Sequence, residues 1–365
     1  MFETFLQELA EARRREPAFC VATVVAVRGS SSAKPGAKAI ISAEGINRWG
    51  WVGGGCAESF IIEQSLEVLA EHRSRVIEVD LDDELLGVGM PCGGYMDVYI
   101  EPVFPARHLA LTGEDPVFGA LALLAHHADY AVTVYRDGAR PTDYPYAALA
   151  STRALANDTQ ALCLHGGEDD PATLAAGFQR PAARAVMLLA GLIAHERGKQ
   201  AQPLSMSTKL QEKASGATPE LLIVGHSRIA EELVRLGVLL GWPVTVNSPE
   251  LRIQNFPSEA ILITDDMDLS MNNLNPATHL IIASQHKGDH AAARNALRNG
   301  VGWLGLVASR KRSGLVLDFL LQAGIDENRL GAVRAPAGLD LGAVTPFDIA
   351  LSIVAQIIQR NGANA

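Results

Sequence analysis

Three observations in this sequence predict an α/β protein built in parts. Short β-branched runs and helical stretches are interleaved over the first hundred residues. A strand–glycine turn–helix–strand pattern occurs at 108–135 and again at 221–247. Pro102, Pro105 and a stretch rich in Ser, Lys, Gln and Gly at 200–219 mark the seams. The expected architecture is an N-terminal mixed αβ domain over 1–105, followed by two Rossmann-like units, the first degenerate, over 107–200 and 220–360, with a linker at 201–219.

Each element has a local cause. Phe2, Phe5, Leu6 and Leu9 recur at helical spacing, so residues 2–15 predict an amphipathic helix. Phe19–Val27 is β-branched and predicts a buried strand. Lys38–Ser42 and Ile46–Val52 flank Glu44-Gly45, a hairpin signal. Ile61, Ile62, Ser65, Leu66 and Leu69 mark a helix that begins near Cys56, and Val76–Leu81 and Tyr95–Glu101 predict two more strands. Beyond the prolines, aligning Gly113 with Gly225 also aligns Tyr130 with Trp242, Val132 with Val244 and Val134 with Val246. Asp170 and the Ala-rich helix after it echo Asp289 and Ala291–Leu297. These coincidences predict an internal duplication of a βαβ unit. Phe347–Gln359 predicts a final amphipathic helix.

The totals exclude several classes. The net charge of −10 argues against a broad nucleic-acid surface. The longest helical apolar run, Ala185–Ala194, is far short of the ~18 residues of a membrane span. The first residues lack a basic n-region and an apolar h-region, so a cytoplasmic location is expected. The four cysteines, Cys20, Cys56, Cys92 and Cys163, include no Cys-x-x-Cys pair, which removes a zinc ribbon or thioredoxin-type site. No P-loop, helical His-x-x-x-His pair or iron–sulfur run occurs.

Two cysteines stand in glycine frames: Gly53-Gly54-Gly55-Cys56-Ala57-Glu58 and Gly89-Met90-Pro91-Cys92-Gly93-Gly94. Glycines leave room for a large ligand and let backbone N–H groups converge on an anion. A thiolate suits a soft metal, but a cysteine in a turn before a strand is also commonly a small packing residue. Cys56 is either a ligand contact or a helix-start residue. Cys20 and Cys163, in apolar strands, read as core.

Further stretches extend this pattern: Val27-Arg-Gly-Ser-Ser31, Pro35-Gly36-Ala37, Val98-x-x-Glu101-Pro102, Ser309-Arg-Lys-Arg312, and Gly338-Leu-Asp-Leu-Gly-Ala343-x-Thr345-Pro346. With them, over about 1–105 and 219–358, the chain resembles the XdhC/CoxI family, accessory proteins that mature molybdenum hydroxylases such as xanthine dehydrogenase. The resemblance implies a chaperone rather than an enzyme. It implies a protein that binds molybdenum cofactor (molybdopterin or its dinucleotide form), supports its sulfuration by a cysteine desulfurase, and delivers it to a molybdenum hydroxylase apoenzyme. It admits a homodimer and involves neither nucleic acid nor membrane.

On that basis Cys92 is the metal-facing residue. Gly53, Gly54, Gly55, Gly93 and Gly94 approach the cofactor, and Arg28 holds its phosphate by a guanidinium fork or is a solvated turn residue. Glu58 either reads the pterin's N–H edge or stabilises a helix N-terminus. His226, Arg228, His286 and Lys287 lie at the carboxyl edge of the last sheet, where open α/β folds bind ligands, or form an electrostatically ordinary set of loops there. Asp340 and Thr345 either orient ligand or cap the following helix, and Thr345 before Pro346 fits the cap. The chain departs from the family pattern where Ser227 replaces the second turn glycine, where Ser248 fills the acidic position after the second strand, and where Ala283-Ser-Gln-His-Lys-Gly-Asp289 replaces a Thr-Arg-Gly-His-Lys-x-Asp run. Conventional NAD(P) binding is therefore not expected. The alternative function is a nucleotide-dependent oxidoreductase using the Rossmann-like units.

Overall fold

The computed structural model describes residues 2–16, 18–54, 56–80, 94–104, 107–144, 146–152, 154, 162–165, 181–199, 218–264, 269, 274–284 and 288–363. They form two units, Met1–Ala106 and Arg107–Ala365.

The first unit is an antiparallel sheet with a helix on each face. Its elements are α1 (Phe2–Arg15), β1 (Phe19–Gly29), β2 (Lys38–Ser42), β3 (Asn47–Gly50), α2 (Cys56–Glu71), β4 (Arg75–Asp80) and β5 (Gly94–Val103), with strand order β3-β2-β1-β5-β4. The alternation of β1 decides the layering. Cys20, Ala22 and Val24 turn toward α2 and a core with Ile61, Val68, Met96 and Val98. Phe19 and Val21 turn to the other face and meet Phe5 and Ala12 of α1. A bulge between Val24 and Ala26 shifts the register against β5, which brings Arg28 opposite Tyr95.

The second unit holds two parallel sheets. The first comprises β6 (Arg107–Thr112), α3 (Val117–His127), β7 (Tyr130–Tyr135), β8 (Ala148–Ala150), β9 (Leu162–His165) and α4 (Pro181–Glu196), with order β8-β7-β6-β9. The second comprises β10 (Glu220–Val224), α5 (Arg228–Leu239), β11 (Val244–Asn247), β12 (Ile261–Ile263), β13 (Thr278–Ile282), α6 (Asp289–Arg298), β14 (Trp303–Leu306), α7 (Arg310–Gln322), α8 (Glu327–Leu330), β15 (Val333–Arg334) and α9 (Pro346–Ala363), with order β12-β11-β10-β13-β14-β15.

The repeat seen in sequence is a repeat in register. Leu109 and Leu111 of β6 lie opposite Val132 and Val134 of β7, as Leu221 and Ile223 of β10 lie opposite Val244 and Val246 of β11. β8 and β12 add at the same side, and β9 and β13 at the other. Among the described residues the first copy has no strand beyond β9, where the second continues into β14 and β15.

Asp170 and the Ala-rich stretch directly after it, expected to echo Asp289 and Ala291–Leu297, lie outside the described residues. The helix α4 packs on α3 as α9 packs on α5, whereas α6 lies against β13, β14 and α7. Ala185, Val186, Leu189, Ala190 and Ile193 of α4 join Ala350, Val354 and Ile357 of α9 in one core between the sheets. Its Ala content serves close helix–helix contact there. The cap expected at Thr345 is present: Asp348 N–H donates to Thr345 Oγ1 at 3.1 Å, and Thr345 N–H donates to Asp348 Oδ2 at 3.1 Å.

Candidate functional site

In the first unit Gly53, Gly54, Cys56 and Glu58 lie at the start of α2. Gly53 adopts φ +133°, and a Cβ there would touch Ala57 and Met96. Gly54 opens outward, where a Cβ would meet only Trp51 Nε1 at 4.0 Å. Glu58 accepts a 2.6 Å hydrogen bond from Asn47 Nδ2, which also donates to Gly50 O at 3.2 Å. Asn47 Oδ1 is buried and has no hydrogen-bond partner. The pair therefore brings two acceptor groups together where the hairpin meets α2, one of them buried and unsatisfied. Asn47 was missed in the sequence because its meaning depends on a hairpin folding back over α2.

Other expected residues have structural work. Arg28 lies between Glu78 and Asp97, with the Asp97 contact at 2.9 Å, so a phosphate there would compete with two carboxylates already in place. A Cβ on Gly94 would overlap Ser30 O and lie 2.7 Å from Arg28 O; close strand packing accounts for this glycine. Cys20 is core as expected: its thiol donates to Ser65 O at 3.3 Å, and burial pushes its pKa up to about 12. Cys56 is the first residue of α2. Gly55, Cys92, Gly93, His286 and Lys287 lie outside the described residues.

In the second unit the two copies differ at the turn after their first strand. Gly225 has φ +116°, and a Cβ would lie 2.8 Å from Ala283 O, so glycine is required for the approach of β10 to β13. Ser227 caps α5 by accepting from Ala230 N–H at 3.2 Å, which occupies a donor that a pyrophosphate would use. His226 Nδ1 is 2.9 Å from Ser248 Oγ, and Nε2 is 3.7 Å from Glu250. Ser248 is fully buried, so this Ser–His–Glu grouping offers no accessible nucleophile. Arg228 is ion-paired with the buried Glu231. In the first copy the same turn is shut by charge: Asp115 accepts from Val117 N–H at 2.9 Å, Arg184 approaches Asp115 at 3.4 Å, and Pro116 removes a donor.

A cleft of about 590 Å³ opens instead at the carboxyl ends of β14 and β15. Its walls include Val307, Pro336, Leu339, Leu341 and Ile349, with Arg310 and Asp340 supplying charge. The Gly338–Leu341 wall is pinned to α9: Gly338 N–H donates to Gln356 Oε1 at 3.1 Å, Gln356 Nε2 donates back to Gly338 O at 3.3 Å, and Leu339 N–H donates to Ser352 O at 3.1 Å. Behind the cleft, Arg312 Nε and Nη2 fork onto the buried Asp289 at 3.1 and 2.9 Å.

Comparison with known proteins bears on this arrangement. The XdhC Rossmann domain matches residues 221–357, and the XdhC and CoxI family matches residues 12–80. The chain belongs to the XdhC/CoxI family. It is similar to the uncharacterized protein YqeB of Escherichia coli K12, with 29% identity over 150 residues, 40% of this chain. The matched region spans only 28% of that relative's length. Among solved structures it is similar to a xanthine dehydrogenase from Bacillus halodurans, at 19% identity and TM-score 0.36 over 98% of this chain and 96% of the other. It is also similar to Escherichia coli D-lactate dehydrogenase, at 14% identity and TM-score 0.23 over 71% and 96%. No helix among the described residues is long and apolar enough to cross a membrane.

Proposed function

We propose that this protein binds molybdenum cofactor, supports its sulfuration by a cysteine desulfurase, and supports its insertion into a xanthine dehydrogenase- or aldehyde oxidase-type apoenzyme. The observation that carries the reading is family membership at both ends of the chain, which gives the coarse role of xanthine dehydrogenase maturation. The finer role draws on the first unit. The unsatisfied Asn47 Oδ1 and the Glu58 carboxylate fit the N–H edge of a pterin, since both are acceptors and that edge is made of donors. Gly54, at the start of the helix that carries Glu58, is open: a Cβ there would meet only Trp51 Nε1 at 4.0 Å.

The cofactor when bound supplies a thiophilic molybdenum centre; the chain supplies the thiol of Cys92 toward it. Glu58 orients the ring, and Asn47 is held toward it by donating to Gly50 O. A holding protein of this kind needs no catalytic base. In the second unit, the cap at Ser227 and the His226–Ser248 bond speak against a dinucleotide-dependent oxidoreductase at the β10 turn.

The test is anaerobic equilibrium dialysis with molybdenum cofactor, comparing the natural protein with Cys92→Ser and Asn47→Leu. Saturable binding, lost in Cys92→Ser and weakened about tenfold in Asn47→Leu, is expected. No saturable binding by the natural protein overturns the reading; unchanged affinity in Cys92→Ser removes the metal role of that residue.

A further inference from the structure

The cleft at β14 and β15 lies away from the β10 turn where dinucleotides bind in this fold class, and it has its own chemistry. Its walls are mostly apolar, and its volume of about 590 Å³ lies within the range of small-molecule sites. Two opposite charges border it, Arg310 and Asp340. Among the described residues Arg310 forms no ion pair. Asp340 is fixed at both oxygens: Oδ1 accepts from Gly342 N–H at 3.3 Å, and Oδ2 accepts from Lys199 Nζ at 3.2 Å. Each oxygen keeps a further lone pair.

Lys199 belongs to the first copy, just beyond α4. So does Arg197, whose Nη1 donates to Gly342 O at 2.8 Å and whose Nη2 donates to Asp348 at 2.8 Å. The loop rides closely on these side chains. Gly342 has φ +64°, and a Cβ on it would lie 3.2 Å from Arg197 Cδ and 3.5 Å from Lys199 Cε. The first copy, shut at its own turn by Asp115 and Pro116, thus sets the wall of a cleft in the second.

We propose that this cleft binds a nucleoside monophosphate with a guanine-type base, whose paired N–H donors meet the Asp340 carboxylate and whose phosphate meets Arg310, and that Lys199 and Arg197 are positioning residues for that carboxylate. A flat base suits the apolar walls formed by Pro336, Leu339 and Ile349. Two adjacent N–H donors suit a carboxylate that presents two oxygens in one plane. The lysine matters because it holds Asp340 charged and in place: its hydrogen bond, with the Gly342 amide, keeps the Asp340 carboxyl below the ordinary range. The guanidinium suits a phosphate, which it binds as a fork. The inference stands on the second unit alone and does not depend on the cofactor reading of Asn47 and Glu58.

The experiment is calorimetric titration of the full chain with GMP, IMP and guanosine. IMP lacks the exocyclic amino group and guanosine lacks the phosphate. Saturable GMP binding is expected, about tenfold tighter than IMP and about tenfold tighter than guanosine. Asp340→Asn should erase the GMP–IMP difference and keep the GMP–guanosine difference; Arg310→Met should do the reverse. Lys199→Ala should shrink the GMP–IMP ratio, and Lys199→Arg should restore it, which a merely structural lysine would not do. No saturable GMP binding, or equal affinity for GMP and IMP, overturns the proposal. Dialysis with molybdenum cofactor reads separately, so either reading can fail while the other stands.

Discussion

Gly338→Ala tests whether the cleft wall is as tightly determined as its hydrogen bonds indicate. Gly338 has φ +107°, which a side chain tolerates only with strain of about 1–3 kcal/mol. Its new Cβ would also overlap Ser352 Oγ and lie 3.2 Å from Ser352 Cβ and 3.4 Å from Ile353 Cγ1, with α9 unable to retreat from the core behind it. Overpacking of that kind costs about 1–3 kcal/mol. The two effects together predict a loss of about 4 kcal/mol, or roughly 10 °C in Tm at about 2–4 °C per kcal/mol. Thermal unfolding followed by fluorescence, in a background where Trp49 and Trp51 are replaced by Phe so that only the buried Trp242 and Trp303 report, reads this half of the chain. The double variant Gly338→Ala/Ser352→Ala relieves the overlap but leaves the backbone strain, so it should recover about half of the loss. A Gly338→Ala protein within about 1 kcal/mol of the natural one would refute the reasoning. So would a double variant no more stable than the single.

Arg197→Met should cost about 3 kcal/mol in urea unfolding, because it leaves the Asp348 carboxylate, 2% exposed, with only backbone N–H partners; a loss under 1 kcal/mol would show that those amides suffice. Acid should weaken the second unit in two stages. Burial holds the His279 pKa below its ordinary value, so its contribution is full above about pH 6.5 and is lost as pH falls toward the folded value. For Asp348, burial alone would raise the pKa, but Arg197 and the Thr345 and Val344 amides hold it low, so its contribution is full above about pH 4 and is lost only below that. A Tm series from pH 7 to 3 should show both stages, and His279→Asn should flatten the first alone. Cys20 should resist iodoacetamide at pH 8 in the folded protein and react once urea unfolds it, as mass spectrometry of the labelled peptide would report.

Much of the fold was legible because its signals are local. The β-branched run from Phe19 to Val27 and the helical spacing of Ile61, Ser65 and Leu69 each identify an element without reference to distant parts of the chain. The repeat was legible because two strands in the same register demand similar residues, hence Val132 and Val134 against Val244 and Val246. The partners of charged side chains were not. Arg28 reads as a free cation until Glu78 and Asp97, 50 and 69 positions away, come beside it. Asp340 meets Lys199 across 141 positions. Ser227 reads as a lost glycine, and only the observed bond to Ala230 N–H makes it a cap. The role of α4 was hidden for a similar reason. An Ala-rich helix fits many neighbours, and only the second sheet's α9 decides which one it has.

The core shared by α4 and α9 has a consequence for how the chain is made. During synthesis α4 leaves the ribosome about 150 residues before α9, so the core that holds Ala185, Val186, Leu189 and Ile193 waits without its α9 side while the whole second sheet is built. A nascent chain stopped anywhere between them advertises that side to chaperones and proteases. Emergence of α9 is then the event that supplies that side of the core.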